Sequence, residues 1–143
     1  SSDTLLWPNA YYVDAGAGKV AWLNDYIEAR QLPYLGSNAE TLRTILEKDA
    51  CQAVLRENGQ PIPDYTVITR GNIEDIDSLI SQNIGSFPVV LKPTAESGSV
   101  GVSMAGNHWK AREDAIQILK DFPQSNVIIE AFLPSDDITC GFL

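Results

Sequence analysis

Phe87-Pro88-Val89-Val90-Leu91-Lys92-Pro93 is the stretch on which the reading of the fold turns. Its short apolar run predicts a buried β-strand. Thr94-Ala95-Glu96-Ser97-Gly98-Ser99 follows as a loop of small and polar residues, and Val100-Gly101-Val102-Ser103-Met104 returns as the expected hairpin partner. Lys92 therefore sits at a strand end beside a glycine-containing loop. That combination suits a phosphate, because the lysine supplies a point charge and the loop supplies backbone N–H donors. Gly98 and Gly101 permit a close backbone approach, and Ser97 and Ser99 add hydroxyl donors. No Gly-Lys-Ser/Thr opens a helix here, so the loop is not a Walker motif. The plain alternative is a β-hairpin with a surface lysine.

Toward the C-terminus, a helix is expected over about Trp109 to Phe122, with Ala115, Ile116, Leu119 and Phe122 turned inward. Asn126 to Phe132 reads as another strand, and Glu130 lies near its end, where burial otherwise favours apolar residues. A carboxylate there can accept an exocyclic amino proton from adenine. The backbone of Ala131, Phe132 and Leu133 can meet the edge of the base, with their apolar side chains on its faces. Asp137 is close enough in sequence to accept a ribose hydroxyl. A strand-end carboxylate facing water is the simpler reading of Glu130 alone. One more strand is expected from Ile138.

Toward the N-terminus, Tyr65 to Thr69 is β-branched and predicts a strand. Ile73, Ile76, Ile80 and Ile84 mark an amphipathic helix that Gly85 ends. A sheet, mixed or antiparallel, with helices on one face should thus hold four strands, Tyr65–Thr69, Phe87–Lys92, Val100–Met104 and Val127–Phe132. Upstream, Ser37 or Asn38 can cap a helical stretch through Leu42, Ile45, Leu46, Ala50, Ala53 and Val54, with a break near Asp49 and a stop at Asn58-Gly59. Lys48 falls on the polar side of that wheel, as a solvated charge when taken by itself. Val20, Leu23 and Ile27 suggest an earlier helix after Gly16-Ala17-Gly18, and Leu5 to Val13 and Gln31 to Gly36 suggest strand ends. His108 shows no partner, and Trp7, Trp22 and Trp109 read as core or interface residues.

The chain of 143 residues suffices for one compact domain or two small lobes, and 44% hydrophobic content suffices for a core. Ten Lys+Arg against 19 Asp+Glu give a formal charge of −9, which repels nucleic acid and anionic membranes. No apolar run approaches the roughly 20 residues that span a bilayer. Cys51 and Cys140 form neither a disulfide framework nor a metal-ligand spacing. The expected location is the cytoplasm. The chain reaches Leu5-Leu6-Trp7 within a few residues and closes on the apolar Ile138 to Leu143. The expectation is an excised fragment.

Taken in order, the motifs carry a resemblance. Pro33-Tyr34-Leu35-Gly36-Ser37 precedes Glu47-Lys48-Asp49, and Gly59-Gln60-Pro61-Ile62-Pro63-Asp64-Tyr65 comes after it. Next come Phe87 to Pro93, Glu96 to Val102, Ile129-Glu130-Ala131-Phe132-Leu133 and Asp137-Ile138-Thr139. The set resembles the D-alanine–D-alanine ligases and their ATP-grasp relatives, well over about residues 32 to 143 and loosely before. The resemblance implies an α/β fold. It places the end of a Rossmann-like domain in residues 1–37, linker helices in 38–64 and the first α+β ATP-grasp lobe in 65–143. It implies that Lys48 and Lys92 contact ATP phosphates and that Glu96, Ser97, Gly98, Ser99 and Val100 close over them. Glu130 would take the adenine amino group, Ala131, Phe132 and Leu133 would form the hinge, and Asp137 would hold the ribose.

The reaction implied is phosphorylation of a carboxylate by ATP with Mg2+, then attack of an amine on the acylphosphate. The implied partners are a nucleotide and amino-acid-like small molecules, with a homodimer for the parent. The family's magnesium ligands would lie after Leu143, so the fragment alone is expected to be inactive. The phosphate loop reads Ser97-Gly98-Ser99 where these ligases commonly have Gly-Ser-Ser. Asp14 to Lys19 also differs from their His- and Glu-containing turn. Both departures leave the amino acid substrates open. The alternative is a non-catalytic nucleotide-binding or interaction module.

Overall fold

The computed structural model describes residues 4–14, 16–17 and 20–135. The chain divides into two compact units, Ser1–Ile45 and Leu46–Leu143. The break falls inside the expected linker of residues 38–64. Asp137 and the strand expected from Ile138 lie outside the described residues.

In the first unit, β1 (Tyr12–Asp14) pairs antiparallel with β2 (Val20–Trp22), and α1 (Leu23–Glu28) comes directly after. The helix expected from Val20 therefore starts three residues later. Val20 shares the helical spacing with Leu23 and Ile27, but Val20 to Trp22 zip against Tyr12 to Asp14 instead. Gly16-Ala17 belongs to the turn after β1, where Asp14 Oδ1 accepts the Gly16 N–H at 2.8 Å. Leu6 bridges Tyr34, joining the two expected strand ends. Asn38 caps α2 (Ala39–Leu46), its side chain accepting the Thr41 N–H at 2.8 Å. Trp7 is 81% exposed, so it is no core residue.

The second unit begins with α3 (Lys48–Glu57), which stops at Asn58-Gly59 as expected. The break between α2 and α3 sits at Glu47, close to the predicted one. The stripe on α3 stays largely outside, with Val54 46% exposed. Four strands then build one sheet: β3 (Tyr65–Ile68), β4 (Val89–Pro93), β5 (Ser103–Ala105) and β6 (Val127–Ala131). Their order is β3-β6-β4-β5, and every neighbouring pair is antiparallel. A 3-10 turn (Ile73–Asp75) leads into α4 (Ile76–Asn83), and α5 (His108–Asp121) joins β5 to β6. The hairpin partner of β4 is thus Ser103 to Ala105 rather than Val100 to Met104, because Val100 to Val102 complete the turn.

Strand alternation assigns the two faces. Ile68, Val89, Leu91, Val127 and Ile129 are buried and pack with Ile76, Ile80, Ala111, Ala115, Ile118 and Leu119 of α4 and α5. Helices so cover one face, as the strand and helix patterns predict. On α5 the inward residues include Ile118, while Ile116 is 51% exposed, contrary to expectation. Trp109 is also outside, at 71% exposure. His108 does find neighbours: its Nδ1 lies 3.5 Å from Asp77 Oδ1 and its ring meets Phe87 edge-on.

Candidate functional site

The other face of the sheet carries the chemistry. Val90 pairs across from Glu130, and Lys92 across from Ile128. Lys92 and Glu130 are therefore diagonal neighbours on one face, a separation that long side chains bridge. They form an ion pair, with Lys92 Nζ on Glu130 Oε2. Glu130 is only 6% exposed, so its charge has to be met from within. Lys92 meets one oxygen, and Gln52 Nε2 donates to the other, Oε1, at 2.6 Å.

Lys48 enters from the first turn of α3. Its ammonium donates to the carbonyls of Pro93, at 3.0 Å, and Glu96, while its own N–H donates to the Thr94 carbonyl at 3.0 Å. The helix start is so fastened to the β4–β5 loop. Thr94 in turn bonds Asn126 twice, through its N–H at 3.0 Å and its hydroxyl at 3.2 Å. Lys48 is no freely solvated charge: burial, and next the repulsion from Lys92, push its pKa below the usual lysine value. Repulsion of the Lys48 ammonium by Lys92 is an electrostatic condition that an anion bound between them relieves.

The loop supplies donors. Among the described residues, no acceptor is found for the N–H groups of Glu96, Ser97, Gly98 and Ser99. Gly98 and Ser99 both adopt positive φ, 65° and 60°, which turns the backbone through the loop. The two glycines differ in use. A Cβ on Gly98 would meet nothing within 4 Å, whereas one on Gly101 would come within 2.7 Å of both the Phe122 ring and Pro93. Gly101 thus serves packing within the protein, and only Gly98 lies open.

At the end of β6, the Ala131 N–H is engaged by the Asp64 carbonyl at 2.8 Å and the Phe132 N–H by the Pro88 carbonyl at 3.2 Å. The three-residue hinge expected to offer N–H groups is thereby reduced to that of Leu133. Phe132 and Leu133 themselves are exposed, at 41% and 58%.

These parts line one cavity of about 820 Å³. Lys48, Lys92, Glu96, Ser97, Gly98, Ser99, Val100, Glu130, Ala131, Phe132 and Leu133 all border it, so the structure brings together every expected site residue it describes. Asp137 is the one outside the described residues. Pro63, Val90, Val102 and Ser135 complete the wall and were not expected. Gln52 was missed too, although it stands four residues after Lys48, the spacing that puts two side chains on one helix face. Among the described residues, no three His, Cys, Asp or Glu side chains gather as metal ligands, and no helix is long and apolar enough to cross a membrane.

The fold is that of the D-alanine-ligase type of ATP-grasp structure. It matches the D-Ala:D-Ser ligase VanG of Enterococcus faecalis with a TM-score of 0.74, at 19% identity over 90% of this chain and 36% of that one. It matches D-alanine–D-alanine ligase of Bacillus anthracis complexed with ATP with a TM-score of 0.62, at 24% identity over 78% of this chain and 35% of that one. The chain belongs to the family described as D-ala D-ala ligase C-terminus, whose model matches residues 54–143. D-alanine–D-alanine ligase A of Bacillus cereus is 30% identical over 122 residues, 82% of this chain. The chain spans 36–41% of the length of the curated ligases it matches.

Proposed function

We propose that this chain is the ATP-binding portion of an ATP-dependent carboxylate–amine ligase, D-alanine–D-alanine ligase-like, that joins amino-acid-like molecules through an acylphosphate. One observation carries the reading: two ammonium groups, a buried carboxylate and an unengaged donor loop converge on a single cavity. ATP bound there supplies the phosphoryl group that activates a carboxylate for attack by an amine.

The chain's own residues position and neutralise. Lys48 and Lys92 balance the phosphate charge, and the N–H groups of Glu96 to Ser99 cradle the oxygens. Glu130 accepts the adenine amino group, the Leu133 N–H faces the ring edge, and Phe132 and Leu133 pack on the ring. Ala131 and Val100 close the pocket, and Asp137 takes the ribose. The described residues do not fit a magnesium site. We extend the proposal to a cytoplasmic location, a homodimeric parent, and a division into the end of a Rossmann-like domain at 1–37, linker helices at 38–64 and the first ATP-grasp lobe at 65–143. The chain alone is expected not to turn over.

Calorimetric titration with ATP tests the assignment. The chain should bind ATP, and Lys92→Met should weaken binding about tenfold or more while the far-UV spectrum stays unchanged. No heat of binding at millimolar ATP, or an unaltered affinity in K92M, contradicts it.

A further inference from the structure

Gln52 makes none of the proposed nucleotide contacts, yet it touches the carboxylate that makes one; its role rests on ATP occupying this cavity. Its amide donates to Glu130 Oε1 at 2.6 Å, while Lys92 holds Glu130 Oε2. A carboxylate's terminal torsion is broad and roughly two-fold, so one donor alone leaves the group free to swing toward its cation. Two donors on opposite oxygens fix its plane. Each oxygen keeps a further lone pair, since an ionised carboxylate offers about four acceptor positions and no donor. The orientation of the amide comes from the same fact. Gln52 can present only its NH2 to Glu130, and its own Oε1 is then left buried with no partner among the described residues. A buried acceptor without a partner is costly. A glutamine serving only the helix surface would turn that oxygen to water.

We infer that Gln52 is a positioning residue for base selection: it holds the Glu130 carboxylate as a fixed, acceptor-only group that admits a purine amino group and turns away a purine carbonyl. Adenine presents N–H donors at its six-position; hypoxanthine presents a carbonyl oxygen there. A fixed carboxylate hydrogen-bonds the first and repels the second, which is selection by an unfavourable contact as much as by a favourable one. A carboxylate free to rotate toward Lys92 loses much of both effects. The phosphate contacts, made by other residues, are common to both nucleotides.

The test compares ATP with ITP by calorimetry on the full chain, in wild type, Gln52→Met, Glu130→Gln and the double variant. Methionine keeps the length of glutamine and removes the donor. Wild type should prefer ATP, and Q52M should lower the ATP-over-ITP ratio about tenfold, through weaker ATP binding together with tighter ITP binding. E130Q should lower it as well, and adding Q52M to E130Q should change it no further, because the two act through one contact. An unchanged ratio in Q52M, or an equal loss for both nucleotides, overturns the inference and leaves the ATP assignment standing. Absence of ATP binding by wild type overturns both. Should Q52M fail to give a cooperative melt, Gln52→Asn, polar but too short to reach Glu130, makes the same comparison.

Discussion

The two faces of the four-stranded sheet are built from the same strands and do opposite things. One carries Ile68, Val89, Leu91, Val127 and Ile129 against α4 and α5. The other carries Val90, Lys92 and Glu130 along an open cavity. On the first face each side chain finds its partner within the fold, by contact that needs no direction. On the second, Glu130 is just as hidden, yet it depends on two directed bonds, from Lys92 and Gln52. The difference teaches where to look for function in a small sheet: at the face whose residues satisfy one another only partly.

Truncation on the covered face should give the largest effect. Leu91 is fully buried in β4, one of the two central strands. Leu91→Ala removes its apolar contacts and leaves a cavity, so it should destabilise the second unit by about 2–5 kcal/mol. Urea unfolding followed by circular dichroism measures this. A loss below about 1 kcal/mol would mean that the α4–α5 layer is not the stabilising side.

The open face should respond to pH rather than to volume. Burial, and then repulsion from Lys92, hold the Lys48 pKa below its ordinary 10.5. As pH rises, the folded chain gives up this proton before the unfolded chain does. Between the lowered value and 10.5 the unfolded state binds more protons, so the contribution of Lys48 to stability rises with pH there. The destabilisation is fully present below that window. Unfolding midpoints of wild type and Lys48→Met, compared across the alkaline range, isolate this residue. The difference should drift in favour of wild type as pH increases. A parallel pair of curves would show that the ammonium bears no such strain. With ATP present the drift should reverse, since phosphate favours the charged form.

The two faces were not equally legible. Lys92 and Glu130 stand out in the sequence because a charge interrupts or ends an apolar strand, and the sheet register then makes them neighbours. Gln52 gives no such signal. A glutamine on a helix is ordinary, and its importance depends on a strand that lies far along the chain. The β1–β2 hairpin was hidden for another reason: three residues of strand run directly into α1, and Val20, Leu23 and Ile27 satisfy the helical period by coincidence. At the hinge, the apolar run Ala131 to Leu133 was readable. That two of its three N–H groups are already engaged by Asp64 and Pro88 depends only on how the chain segments meet.

The smallest effect sharpens the comparison within α5. Over Ala115, Ile116 and Leu119 the helical spacing is satisfied, and equally over Ala115, Ile118 and Leu119. Ala111 decides between them, because a stripe through 111, 115, 118 and 122 tracks one face of the helix and Ile116 falls off it. The structure buries Ala111 and Ile118 and leaves Ile116 at 51% exposure. Ile116→Gln should therefore change stability by no more than about 0.5 kcal/mol, the range of ordinary surface substitutions. Ile118→Ala, two positions on, should behave like the covered face and cost about 2–5 kcal/mol. A reversed order, with Ile116→Gln costing more than Ile118→Ala in the same urea titration, would return Ile116 to the core and rotate α5 on the sheet by about a quarter turn or more, since consecutive residues are about 100° apart around a helix. That rotation would also withdraw Ile118, so the pair of measurements fixes the helix face without reference to any ligand.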